Sequence, residues 1–521
     1  MLYFLPVLSF GKLDNNYNRG DLKIRSSSLF LRGISLLSII LAVVLTVFQL
    51  IRYSLLRGYY PPDMTIGGVA VGGVDPQTAQ QRLLQVYSTP IEVHYVNNVF
   101  DLTPNVVGFQ LDTESMLAAA DLQRTGSSFW GGFWDYLWNR RSPAMQIPLV
   151  SSLSEERLRA YLKDEISTRY DEPPIPAEPI PGTADFRPGT PGKILDLDRA
   201  VLLIENALKS PTSRSVLLTS QAATPGRPPL NTLTAFLKQI IDQNNSDGIT
   251  DVYFLNLQTS EELHFSYGSG QDIPVNPDIA FSALSTIKIP IMVTTYIHYN
   301  SQLDDNTSQL VTQMISLSNN EASDALMQGL DPNRGPLIVS DTMQKLGLNN
   351  TFMAGYFYQG AYLLRRFITP ANSRSDVNTD PDVYEQTTPR DMGLLLEDLY
   401  QCTQTGGGAL VAAFPGQINQ AACQQMIQYL EQDKVGALIQ TGVPDGTVVA
   451  HKHGWYYDLT TQEMNPCNDA AIIYSPGGNY ILTIYSYRQG GIIFEDPTTH
   501  QGAQRMFADI SRAVFNYMNL P

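Results

Sequence analysis

Nineteen consecutive residues, Gly33–Ile51, carry no charge, and Arg32 and Arg52 bracket them. A helix of that length matches the hydrocarbon core of a bilayer. Within a bilayer a lone segment has to be helical, because each backbone group must find its partner inside the segment. The run therefore predicts one transmembrane helix over 33–52, which divides everything else in the chain between two sides. Lys12, Arg19, Lys23, Arg25 and Arg32 precede it, whereas only Arg52 and Arg57 follow closely. That excess predicts a cytoplasmic tail at 1–32 and places residues after about 55 outside the cell membrane. A cleaved signal peptide is the alternative, but the residues after the run, R-Y-S-L-L-R-G, offer no small-x-small cleavage site.

At 521 residues the chain exceeds what one core accommodates, so several domains are expected. Its net charge of −16, with only 34 Lys and Arg, argues against nucleic acid as a partner, since phosphate contacts need a basic face. Three cysteines, Cys402, Cys423 and Cys467, do not make a disulfide framework. At most one bridge forms, with Cys402–Cys423 the candidate, and small residues packed in the core is the preferred reading of all three.

Beyond the anchor, Thr65-Ile-Gly-Gly-Val-Ala-Val-Gly-Gly-Val-Asp-Pro reads as a strand ending in a turn, followed by a helix over Pro76–Tyr87 and a strand hairpin over Ile91–Leu102. Asp112 and the Leu-Asp of Gly192-Lys-Ile-Leu-Asp each open a helix after a glycine, a weak internal repeat of small α+β units. Between these copies Trp130, Trp134 and Trp138 recur every four residues, so a helix places them on one face. Packing on the domain core is the expected role of that face; contact with a membrane interface is the alternative. The proline-rich stretches Glu172–Gly192 and Ala222–Pro229 read as semi-rigid connectors, the second being the main domain boundary. On I-G-G-V-x-V-G-G and the Leu-Asp helix starts, residues 59–225 resemble the peptidoglycan-binding domain of bacterial cell-envelope proteins, including those with vancomycin-resistance-type W domains. The resemblance implies peptidoglycan as a partner; a spacer without a ligand is the alternative.

In F-S-A-L-S-T-I-K-I-P-I-M-V-T-T-Y-I, Phe281–Ile297, Ser285 and Lys288 stand three apart at the start of an apolar helical run. That spacing puts hydroxyl and amine on one face. Burial disfavours an ammonium, and a neutral amine can take the proton of a serine nucleophile. The spacing alone is weak evidence, because Ser9 and Lys12 repeat it. Further on, Ser318-Asn319-Asn320 sits at the turn into an apolar helix, and Lys452-His453-Gly454 lies in a strand-like run followed by strands over Asp469–Tyr474 and Tyr480–Tyr487.

The order S-x-x-K, S-x-N, K-x-G and two strands resembles the penicillin-recognising serine enzymes, most closely class A β-lactamases, over about residues 231–520. Thr387–Met392, T-T-P-R-D-M, matches the helix start that follows that family's omega loop. The implied fold is α+β multidomain: one N-terminal span, a small repeated α+β region, and at 230–521 an antiparallel sheet flanked by helices with a helical subdomain.

The implied chemistry is β-lactam hydrolysis through a Ser285 acyl-enzyme. Lys288 would serve as base, Ser318 as proton shuttle and Asn320 as holder of Lys288. Lys452 would attract the substrate carboxylate, and the backbone N–H groups of Ser285 and Trp455 would form the oxyanion hole. His453 and Gly454 would contact substrate. A slow-deacylating D,D-carboxypeptidase or transpeptidase acting on D-alanyl-D-alanine peptides is the runner-up, and a wall-binding or β-lactam-sensing module a third reading.

Three departures bear on the choice. No E-x-x-L-N pattern lies between Gly347 and Thr387, which leaves Asp376, Asp380, Asp382 and Glu385 as carboxylates that could activate water, and Glu385 lies close to Thr387. His453 stands where a hydroxyl residue is usual. Ser285 and Ser318 are only 33 residues apart, which implies a missing cleft wall. No cofactor or metal is expected: His451-x-His453 is a weak ligand pair that reads more simply as strand residues.

Overall fold

The structure, a computed structural model, describes residues 27–140, 143–244, 248–433, 438–458, 463–493 and 502–520. Most of the expected cytoplasmic tail lies outside them. The chain forms two compact units, one of 1–171 with 194–221, the other of 172–193 with 222–521.

In the first unit the apolar run lies in a helix, Ser27–Leu56, that exposes its large aliphatic side chains along its length. Among the described residues it is the one helix long and apolar enough to cross a membrane. The small domain after it is built from short strands and aspartate-capped helices. Asp75, Asp112 and Asp196 accept backbone N–H groups at the starts of Pro76–Ser88, Thr113–Thr125 and Leu197–Lys209, satisfying donors that a helix start leaves orphaned. Ile91–Tyr95 pairs antiparallel with Asn98–Leu102 and parallel with Ser215–Leu217. The tryptophans correct one expectation. Phe129–Leu137 is helical, but Trp130, Trp134 and Trp138 are 63%, 58% and 71% exposed, and Phe133 is the residue that this helix buries.

The second unit is organised by a seven-stranded sheet. Its order is Gln271–Ile273, Glu262–Gly268, Ile249–Asn256, Tyr480–Tyr487, Glu463–Tyr474 and Val448–Asp458, with Ile492–Ile493 also paired to Glu463–Tyr474. Every pairing is antiparallel. Side chains alternate across a strand, so Val252 and Phe254 join one core while Tyr253 and Leu255 join the other. The first core is closed by the helices Leu230–Gln243 and Ala503–Met518. The second holds the helical subdomain, including Lys288–His298, Asn320–Leu330, Pro389–Thr405 and Gln420–Leu430.

Two details differ from the sequence reading. The stretch 172–193 is not a free connector. It folds back through Glu178–Pro179 paired with Phe186–Arg187, and Phe186 packs on Phe236 and Tyr517 of its unit. Cys402 and Cys423 are bridged, tying Pro389–Thr405 to Gln420–Leu430, so of the three cysteines only Cys467 is a free, buried thiol.

Candidate active site

Three elements converge on Ser285. The first is a single 3₁₀ turn, Leu284–Ile287, running into the α-helix Lys288–His298. In a 3₁₀ turn side chains at i and i+3 eclipse, which sets Lys288 over Ser285 more directly than an α-helix would. Pro290 is tolerated because it falls in the first α-turn, where N–H groups have no intrahelical acceptor. Leu284, just before Ser285, has φ +52°, a left-handed conformation costly for a leucine.

The second element is the turn between the helices Asp305–Ser316 and Asn320–Leu330. Asn319 caps the latter by accepting from Ala322 N at 2.6 Å, which leaves Ser318 unused as a cap and in the left-handed region, φ +54°. The third is the edge strand Val448–Asp458. Gly454 lies so close to the turn Leu284–Ile287 that a Cβ on it would sit 2.6 Å from Ser285 N. Only glycine permits that approach.

Lys288 Nζ lies 2.8 Å from Ser285 Oγ, 2.8 Å from the Ser318 carbonyl, 2.7 Å from Asn320 Oδ1 and 3.3 Å from Ser318 Oγ, and the two serine hydroxyls are 2.8 Å apart. The Lys288 side chain is fully buried. Burial, helped by the like charge of Lys452 and opposed by Glu385, Asp324 and Asp433, brings its amine down to about 7. A neutral amine has two N–H bonds and one lone pair. The Ser318 carbonyl and Asn320 Oδ1 accept the two N–H bonds, so the lone pair is left for the Ser285 hydroxyl proton. The ring of Phe357 covers the amine, its centroid 5.2 Å from Nζ. Asp324 holds that loop by accepting the N–H groups of Phe357 and Tyr358 at 2.8 and 2.9 Å.

Lys452 and His453 are both buried, and both meet Asp433. Lys452 Nζ is 3.2 Å and His453 Nδ1 2.8 Å from its Oδ2. Burial alone would raise the Asp433 carboxyl, but the His453 hydrogen bond and the positive charges around it hold it well below the usual range. Burial lowers the His453 imidazole, and its ring stacks on Trp455 with centroids 4.3 Å apart. Lys452 and His453, the lysine and imidazole expected to face a substrate carboxylate, both contact the Asp433 carboxylate in the structure. Asp433, His451 and His453 bring ligand atoms within 4.8 Å of one another. A cation there would have to displace the Lys452 ammonium, and His451 already uses Nδ1 on Asp469 and Nε2 on Gln440.

Residues distant in sequence complete the frame. Asn468 Nδ2 donates to the Ser282 carbonyl at 2.8 Å, and Tyr485 donates to Thr286 Oγ1 at 2.8 Å, pinning the segment around Ser285 to the sheet from both ends. Glu385 is buried in a three-stranded sheet with Phe281–Ser282 and Phe352–Met353. Its backbone carbonyl accepts Ala283 N, its carboxyl accepts Leu284 N–H, and its Oε2 has no partner among the described residues. Burial and the nearby Asp382 push this acid up to about 8. Of the other three candidate carboxylates, Asp376 pairs with Arg374 and Asp382 accepts Tyr384 N, while Asp380 is exposed. Asp433, Asn468, Tyr485, Asp324 and Phe357 stand outside the S-x-x-K, S-x-N and K-x-G spacings, and the sequence assigns none of them a place in the site.

Residues 293–518 match the model of the Beta-lactamase enzyme family, a span that includes Ser318, Asn320 and Lys452 and begins after Ser285 and Lys288. No curated protein matches the chain. Among solved structures it aligns with PBP-A at 19% identity, covering 56% of this chain and 97% of that one, TM-score 0.38. It aligns with a β-lactamase from Desulfarculus baarsii DSM 2075 at 18%, covering 56% and 99%, TM-score 0.39. A class A β-lactamase from Mycobacterium abscessus aligns at 18%, covering 54% and 97%, TM-score 0.38. Over residues 293–518, then, the chain is similar to the Beta-lactamase enzyme family.

Proposed function

We propose that this protein is a membrane-anchored serine hydrolase that opens β-lactams, or cleaves the related D-alanyl-D-alanine amide, through an acyl-enzyme on Ser285. The observation that carries this reading is the Ser285–Lys288–Ser318 cluster: a hydroxyl within 2.8 Å of both a buried amine and a second hydroxyl. Ser285 Oγ attacks the carbonyl carbon while its proton passes to the Lys288 lone pair. The oxyanion that forms is held by the N–H groups of Ser285 and Trp455. The proton then travels from Lys288 through Ser318 Oγ to the departing nitrogen, the C–N bond breaks, and the acyl group stays on Ser285. Asn320 keeps Lys288 aligned throughout, and Lys452 keeps the field positive enough to favour the neutral amine. The helix Ser27–Leu56 anchors the chain, with the catalytic unit outside the cytoplasm. The bridge between Cys402 and Cys423 supports that placement, because disulfides persist in oxidising compartments.

One observation favours a penicillin-binding-protein-like second reading. The aromatic ring of Phe357 covers Lys288, and among the described residues no carboxylate hydrogen-bonds to Ser285 or Lys288. Water activation at the acyl carbonyl is then slow, and the acyl-enzyme lasts.

Full-length protein in detergent, mixed with a fluorescent penicillin and followed by intact-mass spectrometry, tests both. A mass adduct is expected, and Ser285→Ala is expected to abolish it. An adduct that persists selects the slow-deacylating reading, and release beyond one equivalent selects the β-lactamase reading. Labelling that survives Ser285→Ala, or no adduct from the wild-type chain, overturns the acyl-enzyme on β-lactams.

A further inference from the structure

The helix Phe129–Leu137 docks on the C-terminal end of the helix Ser27–Leu56, and the contact is specific. Tyr53 packs its ring against Phe129, Phe133 and Tyr136 at centroid distances of 5.4, 5.6 and 5.5 Å. Tyr136 donates to Gln49 Oε1 at 2.9 Å, and the Arg57 guanidinium lies over Phe129 at 5.4 Å. Gly132 faces the Tyr53 hydroxyl, which a Cβ at that position would meet. These contacts fix the depth of the short helix. They fall on residues 49–57, and the uncharged run ends at Ile51 with Arg52 next. Eight residues of helix span roughly 12 Å, so the docking site straddles the boundary between hydrocarbon and headgroups.

At that depth the helix presents Trp130, Trp134 and Trp138, each more than half exposed. Three large indoles left bare on this helix and its C-cap residue form an apolar patch that water does not favour. Indole suits the bilayer interface, where its ring meets the acyl boundary and its N–H meets headgroups and water. Ser128 caps the helix through Gly131 N, and Asp135 with Arg140 supplies charge beside the tryptophans. Exposed indoles at that depth with charge close by suit the bilayer interface.

We propose that Phe129–Trp138 is a second, interfacial membrane contact in which Trp130, Trp134 and Trp138 insert at the headgroup–acyl boundary. It rests on the reading of Ser27–Leu56 as a span. Two contacts at one membrane surface resist the swivelling that a single helix allows, and so hold the first unit in one orientation on the bilayer.

The chain has four tryptophans, so Trp455→Phe leaves these three as the only indole emitters. That variant, full length, is reconstituted into phosphatidylcholine vesicles carrying bromine either near the headgroup or deep on the acyl chain, and its emission is compared with that under aqueous iodide. Shallow bromines are expected to quench most, deep bromines less, and iodide least. Membrane retention is measured on the same sample by alkaline extraction. Loss of the chain into the wash overturns the anchoring and this contact with it. Retention with strong iodide quenching and no bromine quenching overturns the tryptophan contact alone.

Discussion

At the scale of single residues the site is governed by how two buried protons are shared. Lys288 must be neutral to accept the Ser285 proton, and its amine sits at about 7. Acylation by the wild-type chain is therefore expected to rise with pH through about 7 and to level off above it. The second-order rate of penicillin labelling between pH 5 and 9 reads this directly, and a flat profile would remove Lys288 as the base. Glu385 attracts the lysine proton when ionised, and it is neutral below about 8. Replacing it with an amide keeps an acceptor for the Leu284 N–H while removing the charge. Glu385→Gln is thus expected to shift the rising limb slightly to lower pH.

The same residue carries a stability consequence with a definite sign. The unfolded chain loses this proton near 4.5 and the folded chain near 8. Between those values the folded state binds more protons, so the contribution of Glu385 destabilises increasingly as pH rises. Glu385→Gln is expected to flatten that fall, checked by thermal melting at pH 5 and pH 8; an equal pH slope in both proteins refutes it.

At the scale of elements, the turn Leu284–Ile287 and the edge strand Val448–Asp458 form one device. The strand carries Lys452, His453, Gly454 and Trp455, and Gly454 is where it touches Ser285. Gly454→Ala forces the strand away from Ser285 N and widens whatever gap a substrate carbonyl must fill. A loss of about 10²–10³ in acylation rate is expected, the usual cost of a disturbed oxyanion donor, with the Tm lowered only modestly. Labelling kinetics beside a melting curve separates the two effects, and an unchanged rate would show that the strand has no part in the reaction.

These elements were legible because their information is local. Ser285 with Lys288, Ser318 with Asn320, and Lys452 with Gly454 each lie within one turn or one strand. Partners that arrive across the sheet left no such trace. Asp433 lies 19 residues before Lys452, and Asn468 reaches Ser282 over 186 residues. The resemblance led to the expectation that Lys452 meets a substrate carboxylate, because nothing near it in sequence announces a carboxylate already in place. The tryptophan face reads as a core face for a related reason. Periodicity shows that three side chains share a face but not what that face meets.

At the scale of the whole molecule, the same limit moved a domain boundary. Proline-rich composition marked 172–192 and 222–229 as connectors, and a single cut near 230 followed from it. Instead the chain passes between its two units at 171/172, 193/194 and 221/222, lending residues 172–193 to the catalytic unit. That excursion is structural: Phe186 is 9% exposed, packed on Phe236 and Tyr517, and Asn516 Nδ2 donates to the Ala184 carbonyl at 3.0 Å. Phe186→Ala in the full chain removes most of a phenyl ring from that core, and a loss of about 3 kcal/mol is expected for such a truncation. The loss belongs to the unit that carries Ser285, although residue 186 lies 99 positions upstream of Ser285. Heating the variant and withdrawing samples for penicillin labelling follows that unit specifically. Labelling competence is expected to disappear several degrees below the wild-type midpoint, whereas an unchanged midpoint would mean that the excursion is a passive connector and that the catalytic unit begins near residue 230 after all.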